Sequence, residues 1–334
     1  MACYQQALRL KPDYAEAHLN LAWTWLLRGD FEQGWPEYEW RWKCEGLSAP
    51  AFRQPLWDGA DLQERTILLY AEQGLGDTLQ FIRYARLVKV RGASVLVSCQ
   101  EPRQRLLGTC AGIDRLVASG AELPPFDVQA PLLSLPRILG TTLATVPADI
   151  PYLFADEQLV AHWRRELSPV GAFKIGIAWQ GSPKYRGDRQ RSIPLAQFAP
   201  LARIDGVQLF SLQKGPGTEQ LHQGAGGFPV TDLGRQLDET AGPFMDTAAV
   251  MRSLDLIITA DTALAHLAGA LGVPVWVALP IAPDWRWLLQ REDSPWYPTM
   301  RLFRQTEPGQ WQGVFERMAR AVGKMLAAGG GTAR

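Results

Sequence analysis

Short apolar runs alternate with amphipathic segments over most of the 334-residue chain. Such runs are typical of parallel strands that are covered on both faces, and the segments between them suit crossover helices. This order predicts an α/β protein with two Rossmann-like halves. The predicted strands are Thr66–Ala71, Ser94–Ser98, Arg115–Ala118 and Phe126–Gln129 in the first half, and Lys174–Trp179, Gln208–Leu212, a short strand ending at Thr231–Asp232, Leu256–Thr259, Val275–Pro280 and Arg301–Phe303 in the second.

Residues 1–45 have helical periodicity instead. The pattern predicts an amphipathic helix over Tyr14–Gly29, ended by its glycine, and an antiparallel partner over Asp30–Trp42. The spacing resembles the tetratricopeptide repeat, with Leu19, Leu21, Ala22, Gly29, Phe31 and Gly34 at the matching positions. Because so few repeats do not bury a solenoid core, we expect these helices to end a longer array and to pack on the domain that follows.

These patterns also predict the domain organisation. The helical segment 1–45 leads into a linker at 46–63 that is rich in Pro, Gly and Trp. An N-terminal Rossmann-like domain, expected to bind the acceptor, is predicted at 64–168, and a C-terminal one, expected to bind the donor, at 169–328. The tail 329–334 is predicted to be disordered.

Composition and charge narrow the class of protein. Lys plus Arg and Asp plus Glu both number 34, so no basic surplus indicates nucleic-acid binding. No apolar run is long enough for a membrane span and no signal peptide is present, which predicts a cytoplasmic protein. The four cysteines lack CxxC spacing, so we expect reduced thiols. No Asp-x-Asp, HExxH or Walker motif is present, so neither a metal site nor P-loop chemistry is expected.

The stretch 256–279 combines a buried strand, a sharp turn, an alanine-rich helix and a second buried strand. Asp261 and Thr262 are residue types that cap helix N-termini, and they stand where this helix begins. A helix N-terminus presents N–H groups and partial positive charge, so it suits a phosphate, and His266 follows on the same helix face. The alternative is that Asp261 and Thr262 only cap the helix and that His266 is a half-buried residue with its own partner.

A glycine turn with the sequence Gln-Gly-Leu-Gly-Asp-Thr follows the first strand. It does not match the dinucleotide-binding fingerprint, because Leu79 stands at the place of the third glycine. The turn instead lets a substrate approach the backbone at Gln73, Gly74 and Gly76, and Asp77 in the first helical turn is held ionised by the helix end. Asp77 is therefore a candidate general base for an acceptor hydroxyl, with a plain N-cap as the equal alternative.

The polar loop 180–192 follows a strand, so it is expected at the same sheet edge as the Asp261–Thr262 turn. Its cations are Lys184, Arg186, Arg189 and Arg191, opposed only by Asp188. Cations there neutralise a diphosphate leaving group, the main electrostatic task in glycosyl transfer from a nucleotide sugar; the alternative is a solvated charged loop. Lys214 follows the next strand and faces the same edge or is simply exposed. Asp284–Trp287 carries tryptophans that either stack a base or close the domain.

Together these motifs resemble glycosyltransferase family 9, the bacterial heptosyltransferases. The resemblance lies in Gly-Leu-Gly-Asp after the first strand and in Asp-Thr-x-x-x-His-Leu-x-x-Ala-x-Gly-x-Pro near the end of the chain, and it spans residues 60–325. It implies the GT-B fold, in which two Rossmann-like domains face a cleft. The aspartate that is the proposed base in this family matches Asp77. The family's phosphate-binding basic residue, ahead of a loop-closing proline, matches Arg191.

The resemblance also implies the donor site and the activity. The helix start that binds the donor sugar and its phosphates in this family matches Asp261, Thr262, Ala263 and His266. The implied enzyme is a metal-independent, inverting glycosyltransferase without a cofactor, which moves a sugar from a nucleoside-diphosphate sugar to a hydroxyl of a protein, peptide or glycan. The repeat-like helices are similar in layout to those that present polypeptides in peptide O-glycosyltransferases. The alternatives are a repeat-bearing interaction protein with an inactive GT-B body and a GT-B-like sugar-nucleotide epimerase.

Overall fold

The computed structural model describes residues 1–100, 104–168, 171–222 and 227–329. Its contacts divide the chain into two compact units. Residues 1–152 and 284–291 form the first unit, and residues 153–283 and those from 292 onward form the second. A short segment from late in the sequence therefore belongs to the unit that the beginning of the chain forms.

The first unit contains a parallel sheet of four strands. The strands are β1 (Thr66–Tyr70), β2 (Ser94–Cys99), β3 (Arg115–Ala118) and β4 (Val128–Pro131). Their order is β3-β2-β1-β4, so the chain builds one side of the sheet and then crosses to the other between β3 and β4. Ile67, Leu68 and Leu69 in β1 are fully buried, as expected for a parallel strand covered on both faces.

The helices of the first unit come partly from the repeat-like segment and partly from the connections of the sheet. They are α1 (Ala2–Leu10), α2 (Ala15–Leu27), α3 (Phe31–Tyr38), α4 (Leu75–Phe81), α5 (Ala85–Lys89), α6 (Gln104–Leu107) and α7 (Leu135–Ile138). Gly34 lets α3 approach α2, because a Cβ at that position would lie 2.5 Å from Leu26 Cδ2. Trp35 Nε1 donates to the Thr141 carbonyl at 2.8 Å, so the repeat-like segment packs on the Rossmann-like part, as expected.

The second unit contains a parallel sheet of six strands. The strands are β5 (Phe173–Ala178), β6 (Val207–Ser211), β7 (Thr231–Asp232), β8 (Leu256–Ala260), β9 (Val275–Leu279) and β10 (Met300–Arg304). Their spatial order is β7-β6-β5-β8-β9-β10, which is the 3-2-1-4-5-6 order of the dinucleotide-binding fold when β5 is counted as the first strand. The strand order therefore reverses between β5 and β8.

Two helices of the second unit are fixed by specific contacts. Its helices are α8 (Glu157–Leu167), α9 (Asp188–Arg191), α10 (Ala199–Ala202), α11 (Glu219–His222), α12 (Met245–Met251), α13 (Ala263–Ala270) and α14 (Gln312–Gly329). Trp163 Nε1 in α8 donates to the buried Asp246 carboxylate in α12 at 2.8 Å. This bond places α8 in the second unit, whereas the sequence placed residues up to 168 in the N-terminal domain. Gly269 in α13 lies directly against the Tyr297 ring, which leaves no room for a Cβ.

The predicted strands are all present, with small shifts at their ends. The glycine turn is shorter than predicted, because α4 begins at Leu75 and so contains Gly76 and Asp77. In the predicted tail, Gly329 ends α14 and residues 330–334 lie outside the described residues. Within the described ranges, none of the helices combines the length and the apolar character that crossing a membrane requires.

Candidate active site

Two segments meet at the carboxyl edge of the second sheet. β5 and β8 are neighbours, with Ala178 paired to Thr259, so the loop after β5 and the turn after β8 leave the sheet side by side. The strand order reverses at this place, and open α/β sheets bind ligands in the crevice that such a reversal creates. The edge between β5 and β8 is therefore the candidate ligand site of the second unit.

Arg191 joins the two segments. Its Nη1 donates to the Asp261 carbonyl at 2.8 Å, and its Nε donates to Asp188 Oδ1 at 3.2 Å. Asp188 is buried and its other oxygen accepts from Ser192 Oγ at 3.0 Å. The guanidinium also lies over the Tyr185 ring, 4.4 Å from its centre. These contacts hold a cation beside the turn at which α13 begins, which is the juxtaposition that the sequence predicted.

Thr262 is the N-cap of α13. Its Oγ1 accepts from the Leu264 N–H at 3.3 Å and its carbonyl accepts from the Ala265 N–H at 3.0 Å. Thr262 and Ala263 are half-buried, whereas the residues from Ala265 to Ala270 are buried. The capping interpretation of Thr262 is therefore confirmed, and the start of the helix is the part of α13 that has access to solvent.

The other predicted donor-site residues lie in different surroundings. His266 is buried, and its Nδ1 lies 2.9 Å from Tyr297 Oη, a partner that orients the ring inside the unit. Lys184 is exposed on the same loop as Arg191. Lys214 donates to the Leu237 carbonyl and lies 3.7 Å from Glu239, so its charge is already shared with a carboxylate. The structure thus brings Arg191 to the Asp261–Thr262 turn, and it directs Lys214 toward another segment.

In the first unit, Asp77 occupies the third position of α4. Gly74 is the N-cap, and Asp77 Oδ2 reaches back to accept from the Gly74 N–H at 2.8 Å. Asp77 is therefore not the N-cap of α4, as the plain N-cap alternative assumed. Its carboxylate lies within the first helical turn and accepts from the N–H of the N-cap residue. Gln73 lies just before this turn, and its Nε2 donates to Tyr38 Oη at 3.2 Å.

The second oxygen of Asp77 is bound by Arg286, which the sequence did not suggest as a site residue. Arg286 Nη2 donates to Asp77 Oδ1, Nε donates to Gln80 Oε1 at 2.6 Å and Nη1 donates to Asp284 Oδ1 at 2.9 Å. The neighbouring Trp285 packs edge-on against Trp35 of α3, with ring centres 5.3 Å apart. Trp285 therefore packs in the interior of the first unit, and Arg286 lies among the polar side chains around Asp77.

Burial and charge act on Asp77 in opposite directions. Burial raises the pKa of Asp77, and the negative charge of Asp284 adds to the rise. The Arg286 guanidinium and the N–H groups at the start of α4 oppose it. A carboxylate with an elevated pKa and a fixed orientation suits a general base. Among the described residues, no group of three or more His, Cys, Asp or Glu side chains is arranged to hold a metal ion.

A second buried arginine, Arg41, binds the residue that directly precedes the glycine turn. Arg41 donates to Glu72 Oε1 through Nε at 2.9 Å and through Nη2 at 2.6 Å. Its Nη2 also donates to Ser134 Oγ at 2.8 Å, and its Nη1 donates to Glu39 Oε1 at 2.9 Å. Glu72 follows β1 and Ser134 follows β4, so Arg41 binds at the place where the strand order of the first sheet reverses.

The pKa of Glu72 predicts that the stability of the first unit depends on pH. Burial raises the pKa of Glu72 to about 7 from an ordinary 4.5, although the Arg41 guanidinium opposes the rise. Between these pH values the folded unit holds a proton that the unfolded chain has released. The stability that this proton adds to the folded unit is therefore complete below pH 4.5 and is lost as the pH rises through 7.

Native-state hydrogen exchange of the β1 amides measures this effect, since it reports the unfolding free energy of the first unit. We expect the unfolding free energy of the wild type, relative to Glu72→Gln, to fall by about 2–3 kcal/mol between pH 5 and pH 8. The exposed Glu45→Gln is the control and shows no such fall. A constant difference for Glu72→Gln would show that its pKa is ordinary.

The fold has known counterparts among glycosyltransferases. A glycosyl transferase of family 9 from Veillonella parvula superposes with a TM-score of 0.56 over 80% of this chain and 91% of that one, at 13% identity. The ADP-heptose LPS heptosyltransferase II of E. coli gives a TM-score of 0.56 over 79% of this chain and 99% of that one, at 14% identity. The predicted mixed α/β fold with parallel sheets is thus confirmed, and both of these solved structures are those of glycosyltransferases.

A sequence relative covers nearly the whole chain. Protein FlbA of Caulobacter vibrioides is 26% identical over 383 aligned positions, which cover 96% of this chain. The alignment spans only 63% of FlbA, so this chain corresponds to less than two thirds of that protein. No family model matches the chain.

Proposed function

We propose that the chain is a metal-independent, inverting glycosyltransferase that moves a sugar from a nucleoside-diphosphate sugar to an acceptor hydroxyl. The observation that carries this proposal is the bond from Arg191 to the Asp261 carbonyl. It holds a cation at the start of α13, at the reversal point of a sheet with dinucleotide-binding strand order. Fixed positive charge at that point is what a departing diphosphate requires.

In the proposed donor site, the diphosphate binds against the start of α13. Thr262 takes the N–H groups of Leu264 and Ala265, so we assign the Ala263 N–H and the partial positive charge of the helix end to a phosphate oxygen. Arg191 supplies a planar donor group beside it, and its positive charge is shared with Asp188. Lys184, exposed on the same loop, adds a second cation when the donor is bound. In this proposal these groups do the electrostatic work that a divalent cation does in metal-dependent transferases.

In the proposed acceptor site, Asp77 is the general base. The acceptor hydroxyl transfers its proton to an Asp77 carboxylate oxygen as its own oxygen bonds to the anomeric carbon. The bond from that carbon to the diphosphate breaks, and its electron pair leaves with the phosphate oxygen. This single displacement inverts the configuration at the anomeric carbon. Arg286 and the Gly74 N–H fix the orientation of the carboxylate for the transfer.

We also propose that α1–α3 are part of a tetratricopeptide array that presents a protein, peptide or glycan acceptor. The contact of Gly34 with Leu26 is the close helix approach that the repeat spacing predicts. Apolar side chains at the surface of α1 and α2 support a binding role, with Leu10 79% and Trp23 46% exposed.

The donor site is tested by nucleoside-diphosphate binding. We expect the wild type to bind at least one member of a panel of ADP, UDP, GDP and dTDP in calorimetry, and Arg191→Met to weaken that affinity roughly 10–100-fold, because a hydrogen bond to a charged group is lost. Arg191→Lys keeps the charge without the planar fork and falls between the two.

The control is Arg203→Met, which removes an exposed arginine of the same unit at the end of α10. It should bind as the wild type does. The donor site is refuted if Arg191→Met, folded by circular dichroism, binds with unchanged affinity. A wild type that binds no nucleoside diphosphate but binds a protein partner would instead favour the alternative of a repeat-bearing interaction protein with an inactive GT-B body.

A further inference from the structure

Arg286 is shared between two carboxylates, and we infer that Asp284 is a positioning residue that keeps Asp77 able to accept a proton. This inference rests on the proposed role of Asp77 as general base. It starts from the geometry of one guanidinium: Nη2 binds Asp77, Nη1 binds Asp284 at 2.9 Å and Nε binds Gln80 at 2.6 Å. Each nitrogen of the side chain thus has a different partner within the first unit.

The charges of this cluster decide how readily Asp77 takes up a proton. With both carboxylates ionised, Asp77, Arg286 and Asp284 carry a net charge of −1, and a proton on Asp77 brings the cluster to zero. Without the charge of Asp284, the cluster would begin at zero and protonation would leave a buried, unpaired guanidinium. An uncompensated buried charge is strongly unfavourable, so protonation of Asp77 would then be opposed. Asp284 therefore gives Arg286 a second acidic partner, so the guanidinium is not left unpaired when Asp77 takes up a proton.

The groups around the cluster do not duplicate this effect. Tyr38 also interacts with Arg286, but burial raises the pKa of Tyr38 to about 12, so it is neutral at ordinary pH. The charge of Arg41 is taken up by Glu72 and Glu39, at 2.6 Å and 2.9 Å. Arg286 and Asp284 are the charged side chains that act most on Asp77. How readily Asp77 takes up a proton is therefore set by the charges of Arg286 and Asp284.

Asp284 also has a local structural task, which the test must separate from its charge. Its Oδ1 accepts from the Arg286 N–H at 3.0 Å and so caps the short 3₁₀ turn Trp285–Trp287. Asp284→Asn keeps an oxygen for this cap and for Arg286 Nη1 but removes the negative charge. Asp284→Ser is a second neutral variant that retains a capping oxygen if the asparagine variant does not fold.

The decisive experiment follows the Asp77 carboxyl carbon by NMR in the full chain labelled with ¹³C-aspartate, and assigns its resonance from Asp77→Asn. We expect the midpoint of the Asp77 titration to move down by about one pH unit in Asp284→Asn, because a nearby negative charge has been removed. Asp149→Asn removes an exposed carboxylate of the same unit, 95% accessible, and should leave the midpoint unchanged. Where turnover is measurable, the acidic limb of its pH profile moves by the same amount.

The results separate this inference from the transferase proposal. An unchanged Asp77 midpoint in Asp284→Asn or Asp284→Ser would overturn the inference and leave Asp284 as a cap. A midpoint that moves while no donor is bound or turned over would support the charge arrangement and contradict the transferase.

Discussion

Asp77→Asn is expected to lower kcat by roughly 10²–10⁴-fold, which is the usual contribution of a general base. The asparagine retains one oxygen that can accept from the Gly74 N–H, at 2.8 Å in the wild type, so the turn keeps its shape, and Asp284 remains as a partner of Arg286. Because the diphosphate is assigned to α13, the affinity for the nucleoside diphosphate should not change. A loss in kcat without a loss in donor affinity is the pattern of an interaction made in the transition state. The measurement is release of the nucleoside diphosphate identified by the binding panel.

The matched control is Asp127→Asn. Asp127 also binds a backbone N–H of the first unit, at 2.7 Å from Thr66 N, but lies at the start of β1 rather than beside the glycine turn. It should turn over donor at the wild-type rate. Retention of full turnover by Asp77→Asn would remove Asp77 from the mechanism and leave its carboxylate as part of the first turn of α4.

The second-unit site could be predicted from the sequence because its determinants are local. A buried strand, an N-capping pair and an alanine-rich helix lie within 256–270, and each step follows from residue type and spacing. Arg191 was placed near Thr262 by one further rule, that loops after parallel strands emerge at the same edge. The reversal between β5 and β8 makes the two segments neighbours. The side chains of His266 and Lys214 bind Tyr297 and the Leu237 carbonyl, and no rule of sequence spacing predicts these contacts.

The centre of the first unit could not be predicted in the same way. Arg286 binds Asp77 across 209 positions of sequence, and the segment that carries it lies between the two sequence ranges that form the second unit. A signal was present, since an arginine between two tryptophans is a charge in an apolar setting that needs a buried partner, and an aspartate stands two residues before it. The sequence does not state which carboxylate that partner is. Arg41 is similar, because its partners follow two strands that become neighbours only in the folded sheet.

The buried pair of Arg41 and Glu72 leads to the largest expected effect on stability. Both side chains are 2% exposed, and Arg41→Met leaves Glu72 without its cation in the interior of the first unit. Breaking one side of a buried ion pair costs about 3–5 kcal/mol, because the remaining carboxyl group must either stay charged without a partner or take up a proton. We expect this loss at pH 8, where the wild-type Glu72 is ionised and paired with Arg41, in hydrogen exchange of the β1 amides.

Two further variants identify the cause of that loss. Lys89→Met breaks the pair with Asp114, whose side chains are 42% and 39% exposed, and should lower the free energy of unfolding by about 1 kcal/mol or less. Arg41→Met combined with Glu72→Gln removes both charges and should recover a large part of the stability. If the double variant is no more stable than Arg41→Met alone, the loss comes from the contacts of Arg41 with Glu39 and Ser134. Glu72 directly precedes Gln73, so we expect the α4 amides to exchange more slowly in the double variant than in Arg41→Met. Such a result would show that the contact of Arg41 with Glu72 affects the order of the turn that carries Asp77.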